Sequence, residues 1–411
     1  MRFPSGLRAL GHRDFRLFWS GQLVSLVGRW MQTVGQSWLV LELTDSPLRL
    51  GIVNSLQFAP ILVLSFLAGA LADRSPKRRL LVATQTALML PSLALALLIW
   101  TDRIQYWHVV VMAGVMGVAN ALDMPARQSM VVELVGKDDL MNAIALNSAV
   151  FNAARIIGPA VGGLLIARYG TGIAFFLNGV TFLPVIAALL VMRLETTPRA
   201  SPGTTVTREI AEGLRYVLAS PVISLLLSLV LVVSVFVINH NVLVPLVARD
   251  VLHQEVRGFG FLMAALGAGA LAGAMTLAQF GHGRPPLPAV AAAAVVTSAG
   301  ILSLAVVREV WVAAALLFVT GAAQILFLAS CNTTLQVTVP DELRGRVMSF
   351  YTLAFAGVSP IGAFLIGGVA EAFGAPTACA LGGGLGLACV LALSGRWLLR
   401  HESMRAERTI R

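Results

Sequence analysis

The sequence predicts an all-α membrane protein, with twelve transmembrane helices in two six-helix bundles. Three observations lead there. Twelve apolar stretches, each about as long as the 20 residues that span a bilayer as one helix, run through the 411 residues. Basic residues concentrate on alternate loops between them. The second half of the chain repeats the first. Composition agrees, at 57% hydrophobic and 12% charged residues, where soluble domains carry about 25% charged residues.

The expected helices lie at 17–43, 48–71, 79–100, 106–125, 143–168, 172–192, 221–247, 257–279, 287–307, 310–333, 347–370 and 376–399. The first follows a basic start. It is too long for a cleavable signal and has no small-residue cleavage site, so it is expected to stay as a span. The second closes on Gly69 and the basic loop after it. The third and fourth are bounded by Asp102-Arg103 and by Pro125-Ala126-Arg127. The fifth carries Gly158-Pro159. In the second half, helices 9 and 12 are nearly devoid of polar side chains, and the run Gly382-Gly383-Gly384 marks helix 12 as a packing helix.

Charge sets the orientation. Of 30 Lys and Arg residues, four lie at the N-terminus, thirteen on the even loops and five in the C-terminal tail. Six lie on the odd loops, and two, Arg29 and Arg155, fall inside helices. Positive residues stay cytoplasmic, so both termini are expected in the cytoplasm of a multi-pass cytoplasmic (inner) membrane protein. The net charge of +10 is assigned to loops resting on anionic lipid rather than to nucleic acid. Cys331, Cys379 and Cys389 all fall in expected spans without disulfide or zinc spacing, and no metal or cofactor is expected.

The repeat has an offset near 204 residues. Leu67-Ala68-Gly69-Ala70 recurs as Leu271-Ala272-Gly273-Ala274, Asp138-Asp139-Leu140 as Asp341-Glu342-Leu343, and Gly170 as Gly374. A parallel repeat of six helices implies two bundles about an axis along the membrane normal, with a site between them. The expected division is an N-terminal bundle at 1–193, a cytoplasmic linker at 194–220, a C-terminal bundle at 221–400 and a tail at 401–411. Within the linker, Ile210, Leu214, Val217 and Leu218 share one face, which predicts a short helix lying on the membrane surface.

Polar residues inside spans mark the candidate pathway. Gln22, Ser25, Arg29, Gln32 and Gln36 are spaced three and four apart, which places them on one face of helix 1. Lipid cannot satisfy such a stripe, so it must face water or polar neighbours. Helix 5 carries Ser148, Asn152 and Arg155. Helix 7 carries Ser234, Asn239, His240 and Asn241. Helix 10 carries Thr320, Gln324 and Cys331 on one face, with Asn332 beside it. The intramembrane arginines have no evident mid-membrane carboxylate, because Glu42, Asp123, Asp250 and Glu255 fall near the ends of expected helices. An anionic substrate held chiefly by Arg29 is therefore expected. The alternative is that Arg155 bonds carbonyls freed by Pro159 and Arg29 bonds glutamine side chains.

The loop Gly69-Ala70-Leu71-Ala72-Asp73-Arg74-Ser75-Pro76-Lys77-Arg78-Arg79 resembles the loop motif of the major facilitator superfamily, and the resemblance covers the whole chain. Pro125-Ala126-Arg127, Arg155-Ile156-Ile157-Gly158-Pro159 and Arg344-Gly345-Arg346 resemble its efflux branch, which includes macrolide and siderophore exporters of the enterobactin type. The resemblance implies that Gly158 and Pro159 bend helix 5. It also implies that Gly69, Asp73, Arg74, Arg78, Asp123 and Arg127 form a charged latch. Asp73, the lone acid of its loop, is expected to matter most, and Asp123 less. The chain departs from the family at Pro76, where Gly is usual, at Ala113, where proton-coupled members carry arginine, and at Leu277, which matches Asp73 in the repeat.

These features predict a secondary transporter, functional as a monomer, that exports a small organic compound in exchange for protons, with His240, Glu42 or Asp123 as the titrating group. The alternatives are import of a small anionic metabolite and a non-transporting receptor. An enzyme is not expected, since no Gly-x-Ser-x-Gly elbow, His-Glu-x-x-His pair or phosphate loop occurs.

Overall fold

The computed structural model describes residues 5–136, 138–192, 206–280 and 285–409, and their side chains except at 5–6, 65–74, 206–210, 280 and 398–409. Nearly all of them are helical, and no strand occurs among them. The first half comprises α1 (Arg13–Thr44), α2 (Pro47–Arg74), α3 (Lys77–Trp100), α4 (Tyr106–Val135), α5 (Leu140–Tyr169) and α6 (Gly172–Val191). The helix α7 (Val206–Ala219) lies between the halves in sequence. The second half comprises α8 (Pro221–Phe236), α9 (His240–Leu246), α10 (Val256–Phe280), α11 (Leu287–Ser303), α12 (Val310–Thr338), α13 (Asp341–Thr352) and α14 (Ser359–Thr409).

Among the described residues, nine helical segments are long and apolar enough to cross a membrane. The shortfall from twelve has physical causes. The polar stripe makes α1 too hydrophilic to qualify, and α11 has 17 residues. The segment Asp341–Trp397 counts once, although Gly374 interrupts its helical backbone at φ 83° and ψ 163°.

Three expected boundaries are corrected. The fourth helix, expected to end at 125, runs to Val135 because the chain carries its helix through Pro125. Asp123 therefore lies well inside α4 rather than at its end. The seventh, expected over 221–247, is one span from Pro221 to Val251, but its helix breaks between α8 and α9, where Asn239 Nδ2 donates to the Val235 carbonyl at 2.8 Å. The eleventh, expected over 347–370, starts at Asp341 and is interrupted by a wide π turn at Leu353–Gly357. In addition, α14 continues to Thr409, into the segment assigned to the tail.

The halves share one packing plan. In the first, α1 packs on α5 and α6, α2 on α4, and α3 on α4 and α6. In the second, α10 packs on α12, α11 on α12 and α14, and α14 on α8. The close approach of α2 to α4 recurs between α10 and α12 at equivalent glycines. A Cβ on Gly117 would stand 2.7 Å from the Gln57 carbonyl oxygen, and one on Gly321 would stand 2.1 Å from that of Leu266. Gly170 and Gly374 also share one conformation, with φ 79° and 83°, in the region open to glycine.

The halves meet along two seams, α5 against α10 and α2 against α14. Both are lined with glycine, which lets helix backbones approach closely. A Cβ on Gly260 would stand 2.5 Å from the Pro159 carbonyl oxygen, and one on Gly51 would stand 2.5 Å from that of Ala363. One end of the molecule carries the turns near Asp45, Gly170, His253 and Gly374, here the odd-loop end. The other, the even-loop end, carries the N-terminal segment and α7.

Candidate functional site

The stripe on α1 faces the interior of its own half. Gln32 sits at the centre: its Oε1 accepts from Ser92 Oγ of α3 at 2.7 Å and from Asn178 Nδ2 of α6 at 2.5 Å. Asn178 Nδ2 also reaches Ser92 Oγ at 3.2 Å. Gln36 Nε2 donates to Gln57 Oε1 of α2 at 3.1 Å. Gln22 and Ser25 are buried, and Gln22 Nε2 lacks a partner among the described residues. The stripe thus meets polar neighbours, one of the two environments such a pattern requires. Small residues set the approach, since a Cβ on Gly28 would fall 3.1 Å from the Asn178 backbone.

A small cavity opens beside this network, lined by Arg29, Gln32, Gln36, Gln57, Asn120 and Asn178, among others. It offers ≈ 30 Å³ to the centres of water molecules, room for a few waters. Arg29 lies within electrostatic reach of both Asp123 and Arg127. The helix α4 carries Asp123 inward, but that carboxylate is taken up by Arg127, whose repulsion on Arg29 outweighs the attraction of Asp123.

Asp123 is 2% exposed and fully engaged. One carboxylate oxygen accepts from Thr84 Oγ1 at 2.8 Å and Gln85 Nε2 at 2.6 Å. The other accepts from Arg127 Nε at 2.9 Å and a terminal Arg127 nitrogen at 2.5 Å. The Arg127 guanidinium lies 5.8 Å from the centre of the Phe18 ring. Nearby, Lys77 pairs with Glu133 of α4, and Arg78 donates to the Leu190 carbonyl of α6. The side chains of Gly69, Asp73 and Arg74, the rest of the expected latch, lie outside the described residues.

On α5, Asn152 Nδ2 turns back to the Ser148 carbonyl at 2.8 Å. The Arg155 guanidinium lies 5.9 Å from the centre of the Trp30 ring. Pro159 cannot donate to the Arg155 carbonyl four residues back, and that carbonyl faces α10, where a Cβ on Gly267 would stand 2.7 Å from it. The helix runs unbroken through Gly158 and Pro159. Gly158 is pressed against α1, where its Cβ would stand 2.4 Å from that of Trp30.

In the second half, His240 Nε2 lies 2.9 Å from Gln324 Oε1 of α12. His240 is buried, and its Nδ1 has no partner among the described residues. Asn239 serves the helix break, and the backbone carbonyl of Asn241 accepts from Ser37 Oγ of α1 at 3.2 Å. The structure therefore gathers the polar residues into three sets: one within the first bundle, one around Asp123, and one across the halves at Arg155, His240 and Gln324.

Contacts that the sequence did not indicate close the odd-loop end. Arg249 pairs with Asp45 at 2.9 Å. Glu371 accepts from Ser46 Oγ at 2.8 Å and from the Leu48 amide at 3.2 Å. Trp38 stacks on Phe259 with ring centres 6.2 Å apart. Sequence reasoning did not single out Ser92 or Asn178; the available signal was the spacing of polar residues, Gln85 with Ser92 two turns on and Asn178 with Thr181 one turn on.

Comparison with known proteins agrees with this architecture. A family model described as transmembrane secretion effector matches residues 4–409. The multidrug efflux pump Tap of Mycolicibacterium fortuitum is 29% identical over 364 residues, covering 86% of this chain and 88% of that one. The enterobactin exporter EntS of Shigella flexneri is 26% identical, over 92% of this chain and 89% of its own. The staphyloferrin A transporter of Staphylococcus aureus is 32% identical over 180 residues, 44% of this chain and 45% of that one. Among solved structures, the nucleoside transporter NupG superposes with a TM-score of 0.73 at 12% identity, covering 93% of this chain and 98% of its own. The chain belongs to the transmembrane secretion effector family and is a multi-pass membrane transporter of the major facilitator type, not an enzyme.

Proposed function

We propose that this protein exports a small organic compound across the cytoplasmic membrane by alternating access, exchanging it for protons. Twelve spans would place both termini in the cytoplasm, as the bias of basic residues to the even loops supports. The odd-loop end would then face outward. The proposed linker at 194–220 would join two bundles of one working monomer.

The observation that carries this proposal is the arrangement of the two seams. From Arg155 to Gly163, α5 is pressed on α10, and α2 meets α14 from Pro47 to Ser55. The polar closures at Asp45, Ser46 and Glu371 lie at the same end. Toward the even-loop end, α5 exposes Met141 at 77% and Ile144 at 47%. Such an arrangement suits a carrier closed outside and open inside, with the Arg155 and His240 region between. Two packed bundles that rock about a central site need only exchange these closures for others at the opposite end.

Export, rather than import, is favoured by the relatives, two of which are named for efflux or export. Reconstitution in liposomes tests the proposal. An imposed proton gradient should drive solute from the side bearing the termini to the other. Flux that ignores the gradient would remove proton exchange, and flux in the opposite direction would establish an importer.

A further inference from the structure

We propose that Arg155 and His240, one from each half, bind an organic anion that also carries a hydrogen-bond donor. The anion would sit on the Arg155 guanidinium and the donor on His240 Nδ1. This rests on the carrier function proposed above and names the substrate class for its central site.

The Arg155 guanidinium carries five N–H donors. Among the described residues no hydrogen bond or ion pair reaches them, and its partner is the face of Trp30, 5.9 Å away. An aromatic face attracts a cation but satisfies no fork of donors. A charge held in a span without a counter-ion is costly, and such a residue marks a pathway. Arg29 differs in place, since its small cavity lies within the first half among Gln32, Gln57 and Asn120, whereas Arg155 stands at the seam between the halves. The anion preference expected of Arg29 therefore passes to Arg155.

His240 is 6% exposed. With Gln324 Oε1 as acceptor at 2.9 Å, Nε2 holds the ring proton, and a neutral imidazole then leaves Nδ1 as a bare acceptor. That atom is buried without a partner among the described residues. Buried polar atoms are normally satisfied, and an exception calls for an unseen one.

The helix α10 brings the two groups to one level. On one flank, a Cβ at Gly267 would stand 3.4 Å from Arg155 Cγ. On the other, Gly321 of α12 abuts Leu266 and Ala270, and Gln324 follows one turn later. Arg155 acts electrostatically on His240. Trp30, with Phe151 set edge-on at 5.9 Å, offers an aromatic wall beside the guanidinium. Planar carboxylate geometry matches the arginine fork.

Three probes test this by calorimetry on protein in phosphatidylcholine nanodiscs: 6-hydroxy-2-naphthoate, 2-naphthoate and 6-hydroxy-2-naphthamide. The first should bind tightest. Arg155→Gln should weaken both carboxylates by about tenfold or more, as loss of a charged hydrogen bond does, and leave the amide nearly unchanged. Arg155→Lys, which keeps the charge and guards against misfolding, should lie between. His240→Phe should weaken the two hydroxylated probes and spare 2-naphthoate. Equal loss of all three probes in Arg155→Gln, or no carboxylate preference in the unmodified protein, would overturn the proposal. Added phosphatidylglycerol should leave binding unchanged. Displacement of the naphthoates by that lipid, abolished in Arg155→Gln, would assign Arg155 to a lipid headgroup and overturn the solute site. Liposome flux separates this from the carrier proposal. Probe binding without any flux would sink the carrier and keep the site, and flux of other solutes without probe binding would do the reverse.

Discussion

Arg127 closes on Asp123 one helical turn before it, and two of its nitrogens reach the same carboxylate oxygen at 2.9 and 2.5 Å. Thr84 and Gln85 of α3 hold the other oxygen, so one buried acid ties α3 to α4. An amide in its place would present N–H groups where two sets of donors already point. Breaking a buried ion pair by removing one partner costs about 3–5 kcal/mol. Asp123→Asn is therefore expected to lower the melting temperature clearly in detergent, and Thr84→Val by much less. By sequence Asp123 is expected to matter less than Asp73 to transport; with four donors on it, its removal should nonetheless cost stability. A melting curve for Asp123→Asn that overlays the unmodified protein would contradict this.

The Gln32, Ser92 and Asn178 triad predicts a coupling. Gln32→Leu removes the acceptor shared by two buried groups, and a buried donor left unsatisfied costs about 1–3 kcal/mol. Asn178→Leu should cost a similar amount. Because both changes remove the same bond, the double variant should be less destabilised than the two single effects added together, by about 1 kcal/mol. Strict additivity in a double-mutant cycle of melting free energies would show that the contact carries no energy.

Much of this architecture was legible in the sequence, and the misses have identifiable causes. Apolar length marked the spans, and the repeat offset reappears in the matched conformations of Gly170 and Gly374. Helix ends were obscured where proline suggested a stop. Pro125 does not end α4, since neighbouring helices hold the backbone, and Asp123 is carried inward as a result. Spacing also showed that Gln22 through Gln36 share a face, but not which neighbour that face meets. The partners Ser92 and Asn178 have polar neighbours at helical spacing in Gln85 and Thr181, a far shorter pattern than the five-residue stripe. Contacts between the halves, such as Asp45 with Arg249, join residues about 200 positions apart, and no local pattern records them.

The glycine seam predicts a conformational effect. A Cβ at Gly260 would stand 2.5 Å from the Pro159 carbonyl oxygen and 2.9 Å from Gly163 Cα. Both are backbone atoms and cannot swing aside. Gly260→Val should push α5 and α10 apart and open the odd-loop end. In a Ser37→Cys background, that thiol should then label several-fold faster with a membrane-impermeant reagent, because Ser37 is 2% exposed where α1 meets α9 across the halves. Gly114→Ala is the control, since a Cβ there meets nothing within 4 Å. Unchanged labelling in Gly260→Val would mean that the seam does not set access.

The ion pair at the odd-loop end should contribute far less. Asp45 is 87% exposed and Arg249 26% exposed at their side chains, and exposed pairs are worth about 0–1 kcal/mol. Asp45→Asn should therefore raise Ser37→Cys labelling by no more than about fivefold. Glu371→Gln should act more strongly, because its carboxylate accepts from both the Ser46 hydroxyl and the Leu48 amide. Salt separates the two effects. Raising ionic strength from about 0.15 M to 1 M shortens the screening length from about 8 Å to 3 Å. That should reproduce the Asp45→Asn effect in the unmodified protein and add nothing to the variant. The hydrogen bonds at Glu371 join a carboxylate to partly buried neutral donors and should respond weakly. If salt leaves labelling of the unmodified protein unchanged while Asp45→Asn accelerates it, Asp45 holds the end closed by some means other than its charge.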